Sequence, residues 1–188
     1  YIAEKIKIFN NQSENDISII GVDDKITSSL VKKLKKKLCS KIITVSGKNN
    51  KADIYVKNKK LIINFNLRKN KISKIVNIGK FKNFLGVHNY QNIAAVYAIV
   101  LSLGFYNWKQ IANSIRSFKF LPHRLQKIKQ INDITFINDS KATNIDATDQ
   151  ALKNFKNVFW ILGGRLKEKS LQKLKKHFFR IKHVFLVG

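Results

Sequence analysis

Seven consecutive polar or small residues, Asn138-Asp139-Ser140-Lys141-Ala142-Thr143-Asn144, stand between an apolar β-type stretch (Ile134, Phe136, Ile137) and a helix-like stretch from Ile145 to Phe155. They bring a carboxylate, two hydroxyls, two amides and an ammonium to the carboxyl end of a strand, where open α/β sheets bind their ligands. A strand-to-helix loop of this kind offers backbone N–H groups to a phosphate or carboxylate. Lys141 adds a point charge, and Asp139 can accept hydrogen bonds from a ribose or hold a cation. A plainer reading stands beside this one: Thr143 or Asn144 caps the following helix, and Asp139 caps or solvates a turn.

Three further strings have comparable chemical content. Gly163-Gly164-Arg165-Leu166-Lys167 ends the next strand, at the same edge of the expected sheet as Asp139; the glycines allow close backbone approach and Lys167 can bind a carboxylate. Taken alone it is also an ordinary turn carrying two cations. In His88-Asn89-Tyr90-Gln91-Asn92 the two amides are three residues apart, on one face of a helix start, and each offers a donor and an acceptor to a purine edge. Asn89 alternatively serves as an N-cap, with Asn92 merely exposed. Leu121-Pro122-His123-Arg124 holds the chain's only proline, and Arg124 suits a nucleotide phosphate or a surface carboxylate. No metal constellation stands out, because His88, His123, His177 and His183 are scattered and Cys39 has no companion. A G-x-x-x-x-G-K-[ST] phosphate loop is absent from the 188 residues.

The elements that must position these residues follow from periodicity. Ile2, Ile6 and Phe9 have helical spacing, and Ile17 to Val22 reads as a buried strand ending in Asp23 and Asp24. Leu30, Val31, Leu34 and Leu38 mark one face of a helix whose other face is a lysine run, expected to be solvated. Strands are expected at 42–45, 53–56, 61–65 and 72–78, with a hairpin turn at Asn58-Lys59-Lys60. An apolar helix over 92–103 is bounded by Asn89 as N-cap and Gly104 as C-terminal glycine, and a helix over 108–118 should bury Trp108, Ile111, Ile115 and Phe118. Beyond Leu121 the alternation is strand (134–137), helix (145–155), strand (158–162), helix (171–178) and strand (184–187), which predicts a parallel, Rossmann-like sheet. Pro122 pushes Leu121 toward an extended conformation, so the boundary is placed near Phe120.

Composition narrows the classes. The 188 residues are 44% hydrophobic and 26% charged, as in an ordinary globular protein. The longest apolar run, 93–103, is too short to cross a bilayer, so no membrane association is expected; a single cysteine agrees with a reducing, cytoplasmic setting. Thirty-seven Lys+Arg against 11 Asp+Glu give a net charge of +26, which raises the alternative of a basic nucleic-acid-binding module. Only five of those cations are Arg, the side chain suited to bidentate base and phosphate contacts. Lysine spread among many Asn and Ile residues instead fits AT-rich coding, and no nucleic-acid partner is expected. The chain lacks methionine, even at position 1, and ends in a strand-like segment (183–188), so an internal piece of a longer protein is expected.

Read in order, Gly86, His88, Asn89 and Asn92; Leu121 to Arg124; Asn138 to Asn144; and Gly163, Gly164 and Lys167 resemble the Mur ligases, whose pattern is G-x-H-N-x-x-N, L-P-H-R, N-D-S-K-A-T-N and G-G-x-x-K. The Ser140 to Asn144 core resembles the branch that adds D-glutamate; a folylpolyglutamate-type or sister Mur ligase is the architectural alternative. The resemblance implies an α/β fold: residues 1–120 form the C-terminal part of a central ATP-binding domain, and 121–188 the N-terminal part of a Rossmann-like C-terminal domain. It implies an ATP- and Mg²⁺-dependent amide ligase of peptidoglycan synthesis, cytoplasmic and monomeric. ATP phosphorylates the carboxylate of UDP-N-acetylmuramoyl-L-alanine, and the amine of D-glutamate attacks the acyl phosphate. Asn89, Asn92, Arg124 and Asp139 would bind the nucleotide, and Lys141, Thr143 and Lys167 the D-glutamate. Lys5 would be the carbamoylated lysine that supplies an oxygen ligand to Mg²⁺. The amides would lie on one lobe and the cationic, hydroxyl-bearing rim on the other. The phosphate loop and remaining substrate contacts fall outside this stretch, and the 188 residues alone are expected to lack ligase activity.

Overall fold

The computed structural model describes residues 2–48, 50–67, 70–79, 88–119, 121–164 and 170–187. They divide into two units, Tyr1–Phe118 and Lys119–Gly188.

The first unit opens with α1 (Ile2–Ile6), which tightens into a 3₁₀ turn over Lys7–Phe9. Then come β1 (Ile17–Gly21), α2 (Lys25–Leu34), β2 (Lys41–Ser46), β3 (Ile54–Lys57), β4 (Lys60–Leu67), β5 (Asn70–Asn77), α3 (His88–Ser102) and α4 (Trp108–Ser117). The five strands form one sheet in chain order; β1, β2 and β3 are parallel, and β4 and β5 are added as antiparallel hairpins. Asn58 and Lys59, at φ 50° and 56°, form the two-residue turn between β3 and β4. Positive φ at both positions matches strand twist in such tight hairpins, and Lys60 is already the first residue of β4.

Side-chain alternation splits the parallel strands between two cores. Ile43 and Val45 join Ile54, Leu61, Ile63 and Phe65 against Ile93, Tyr97 and Leu101 of α3 and Ile111 and Ile115 of α4. Ile20 and Val22 meet Val31 and Leu34 of α2, with Ile6 and Phe9 packed alongside. Asp24 caps α2 by accepting from Thr27 N at 2.9 Å and Thr27 Oγ1 at 2.7 Å, the latter bond lowering its pKa most. Lys32, Lys33, Lys35, Lys36 and Lys37 are exposed, the solvated face that periodicity implies. Gly104, at φ 87°, follows the end of α3 as expected. Two details differ from expectation. α3 starts at His88, so Asn89 lies inside its first turn and is not the N-cap. Phe118 is exposed because the helix stops at Ser117 and the chain turns extended there.

The second unit contains β6 (Gln126–Ile131), β7 (Ile134–Asn138), α5 (Ile145–Leu152), β8 (Val158–Gly163), a 3₁₀ helix over Gln172–Arg180 and β9 (Ile181–Val187). β8 and β9 are parallel, as the alternation implies. β7, however, pairs antiparallel with β6 in a separate two-stranded sheet. β8 pairs with β9 in another sheet, so among the described residues Asp139 and Gly163 do not end strands of one sheet. The segment after Leu171 is 3₁₀ and not α-helical. A small core of Ile145, Leu152 and Leu174, with Val158, Trp160, Leu171 and Ile181 around it, joins α5, the 3₁₀ helix and the parallel pair.

Candidate active site

Two of the sequence strings, Leu121 to Arg124 and Asn138 to Asn144, are hydrogen-bonded into one structure. The Lys141 N–H donates to the His123 carbonyl at 3.1 Å. The Leu125 N–H donates to Asp139 Oδ1 at 3.0 Å, and Asn138 Nδ2 lies 2.9 Å from His123 Nδ1. His123 and Leu125 have φ of 66° and 45°, so Arg124 sits between two non-glycine residues in left-handed backbone. That conformation persists only when neighbouring contacts over-determine it, and it concentrates at functional positions. Here the contacts come from the Asp139 loop.

The loop's own amides are largely spent. Ser140 N donates to Asn138 Oδ1 at 3.0 Å, Ala142 N to the Asp139 carbonyl at 2.8 Å and Thr143 N to the Lys141 carbonyl at 2.9 Å. Asn144 caps α5 by accepting from Ala147 N at 2.8 Å, which resolves the choice between Thr143 and Asn144. The backbone anion cradle expected from the sequence is therefore not what the loop offers. Lys141 and Thr143 are exposed, and an ammonium and a hydroxyl are groups that fit a carboxylate or phosphate oxygen. Asp139 is half-buried and already holds the turn, while Arg124 is exposed.

Gly163 and Gly164 have separate backbone reasons. A Cβ on Gly163 would lie 2.4 Å from the Val187 carbonyl oxygen, so close approach of β9 excludes a side chain there. Gly164 has φ 102°. Lys167 and Arg165 lie outside the described residues, as does Gly86.

In the first unit, Asn92 Nδ2 donates to Asn89 Oδ1 at 3.3 Å, bringing the two amides together on the first turns of α3. Asn89 is buried and Asn92 exposed, so Asn89 orients its neighbour and Asn92 presents the outward amide. Lys5 is an exposed residue of α1, beside a Glu4–Lys7 ion pair of 2.8 Å. No group of three His, Cys, Asp or Glu side chains converges among the described residues, so these residues do not by themselves build a Mg²⁺ site. No described helix is long and apolar enough to cross a membrane.

Sequence reasoning missed β6, and it missed Asp149. This carboxylate of α5 is buried and accepts from His177 Nε2 at 2.9 Å, Lys176 Nζ at 2.7 Å and Lys153 Nζ at 2.7 Å. Burial pushes its pKa up, but the bonds from Lys153, Lys176 and His177 together outweigh this and hold it well below the usual carboxylate range. Only the Asp149–Lys153 spacing on a helix hinted at such a role.

Residues 1–100 match the Mur ligase middle domain. Over its whole length the chain is 35% identical to the UDP-N-acetylmuramoylalanine–D-glutamate ligase of Rickettsia felis and 32% identical to that of Paramagnetospirillum magneticum. It spans about 40% of the length of these curated relatives. Among solved structures, MurF from Acinetobacter baumannii aligns with 98% of this chain and 46% of its own at a TM-score of 0.62 and 16% identity. MurF from Thermotoga maritima, in complex with ADP, aligns with 98% of this chain and 43% of its own at 0.57 and 15% identity. Folylpolyglutamate synthase from Thermotoga maritima covers 94% of this chain and 48% of its own at 0.53 and 13% identity, so these likenesses establish the α/β fold. The middle-domain match covers more than half of the chain and fixes its kinship: this chain belongs to the Mur ligase family.

Proposed function

We propose that the protein containing this chain is an ATP-dependent amide ligase that adds D-glutamate to UDP-N-acetylmuramoyl-L-alanine in peptidoglycan synthesis, in the cytoplasm. The observation that carries this reading is the joining of the two strings by the Lys141–His123 and Leu125–Asp139 hydrogen bonds. It joins an arginine and an ammonium-and-hydroxyl loop in one hydrogen-bonded turn. The relatives named as D-glutamate ligases are similar across the same residues.

In the proposed reaction the γ-phosphoryl group of ATP passes to the substrate carboxylate, releasing ADP. The D-glutamate amine then attacks the acyl carbon, the C–N bond forms, inorganic phosphate leaves and the amine loses a proton. Asn89 orients Asn92, whose amide pairs with the adenine edge. Arg124 supplies a planar fork to the nucleotide phosphates or ribose, fixed by the strained turn and by Asp139. Lys141, Thr143 and Lys167 surround D-glutamate, with Lys167 and Thr143 on its carboxylate, so that its amine is oriented for attack. Lys5, as a carbamate, would contribute one oxygen to Mg²⁺, and the other ligands would come from elsewhere in the full protein.

The test is phosphate release by the full-length protein with ATP, Mg²⁺, UDP-N-acetylmuramoyl-L-alanine and D-glutamate. Release is expected only with all four present, and Lys167→Ala is expected to abolish it. Release that does not depend on D-glutamate would defeat the proposal.

A further inference from the structure

α5 and the 3₁₀ helix over Gln172–Arg180 are tied by a ladder of polar contacts running in the same direction along both. Asp146 in the first turn of α5 pairs with Lys173. Asp149, one turn on, takes Lys176 and His177. Arg180 Nη1 reaches the Phe155 carbonyl at 3.2 Å, beyond the end of α5. The outer pair is exposed on both sides and contributes little. The middle rung is different, because Asp149 and His177 are 4% and 5% exposed, on the two elements that the core of Ile145, Leu152 and Leu174 joins. Lys176 and Lys153 close the carboxylate from the solvent side. With Asp149 ionised, its oxygens accept only, so His177 donates from Nε2.

The position of this rung gives it consequence. The Asn144 cap fuses the start of α5 to the loop that carries Lys141 and Thr143. The direction of α5 is therefore the direction of that loop. A helix of eight residues has little stability of its own and takes its orientation from what it packs on. We infer that Asp149 and His177 are positioning residues: their buried hydrogen bond locks α5 onto the 3₁₀ helix and so sets the placement of Lys141 and Thr143 toward the amino-acid acceptor. The acceptor's identity as D-glutamate rests on the function proposed above; the locking itself does not.

Full-length His177→Phe keeps an aromatic ring in the core and deletes the donor, whereas His177→Gln keeps an amide N–H that can reach Asp149. In steady-state assays His177→Phe is expected to raise KM for D-glutamate about tenfold, the size of one lost hydrogen bond to a charged group, with KM for ATP within about twofold. His177→Gln is expected to restore most of the loss. Hydrogen exchange on the same proteins is expected to speed up at the amides of residues 142–148 in His177→Phe and to be unchanged in the β6–β7 hairpin. An unchanged D-glutamate KM, or equal increases for both substrates, overturns the positioning role. Unchanged exchange over 142–148 overturns the lock. If the wild-type protein does not use D-glutamate, the functional proposal fails, and the exchange experiment still decides whether the lock exists.

Discussion

Asp139 and Leu125 are joined by a hydrogen bond of 3.0 Å from backbone N–H to carboxylate, and through it the loop before α5 holds the left-handed turn that presents Arg124. In the proposed site this carboxylate therefore secures the arginine beside it. Asp139→Asn keeps an acceptor for Leu125, whereas Asp139→Ala leaves that amide unpaired and releases the strain. We expect Asp139→Ala to raise KM for ATP at least about tenfold and Asp139→Asn to raise it less, on the scale of one charge-assisted hydrogen bond. Equal effects from both would show that the turn does not depend on this bond.

Gly163→Ala tests the close approach of β9. Its added methyl would meet a backbone carbonyl at 2.4 Å, and a backbone group cannot swing aside as a side chain can. A loss of about 1–3 kcal/mol is expected in denaturant unfolding, the usual scale of overpacking. Gly164→Ala should cost less in packing, since nothing lies within 4 Å, and its penalty should come from φ 102° alone.

Tyr97 is buried in the first unit, stacked on Trp108 with ring centroids 6.3 Å apart, and its hydroxyl has no hydrogen-bond partner among the described residues. Tyr97→Phe removes a desolvated polar group and is expected to stabilise the protein by roughly 1 kcal/mol. Burial raises the phenol from 10.0 to about 12, against a lowering influence from Arg116. The unfolded chain therefore loses this proton first as pH rises. The wild type should lose stability relative to Tyr97→Phe between about 10 and about 12, and a constant difference across that range would contradict the burial.

Acid should act through Asp149. Its folded-state pKa is depressed, so its contribution is present above the ordinary value of 3.8 and is lost as pH falls below it. Asp149→Ala strands the buried His177 and is expected to cost roughly 2–4 kcal/mol at neutral pH, with the gap to wild type closing in acid. Thermal unfolding of both proteins from neutral to acid pH measures this.

Much of the first unit was legible because its signals are local. β4 alternates Leu61, Ile63, Phe65 and Leu67 inward with Lys60, Ile62, Asn64 and Asn66 on its other face, and α3 is apolar because it crosses the parallel strands. β6 was not legible: Gln126-Lys127-Ile128-Lys129-Gln130-Ile131 buries almost nothing, and only its hydrogen bonds to β7 make it a strand. The loop residues Lys141 and Thr143 were visible as chemistry. That most of the loop's amides are already hydrogen-bonded was not, because one acceptor is the distant His123 carbonyl. Asp149 and His177 stayed hidden for the same reason, as their pairing spans 28 residues and exists only after folding.

The most direct measurement offers the full-length protein a panel of acceptors (D-glutamate, L-lysine and diaminopimelate) with ATP, Mg²⁺ and UDP-N-acetylmuramoyl-L-alanine, and weighs the products by mass spectrometry. A single new species is expected, the D-glutamyl adduct, formed with one phosphate per amide bond and absent in Lys141→Ala. Comparable adducts with L-lysine or diaminopimelate would contradict it and move the protein to another branch of the family.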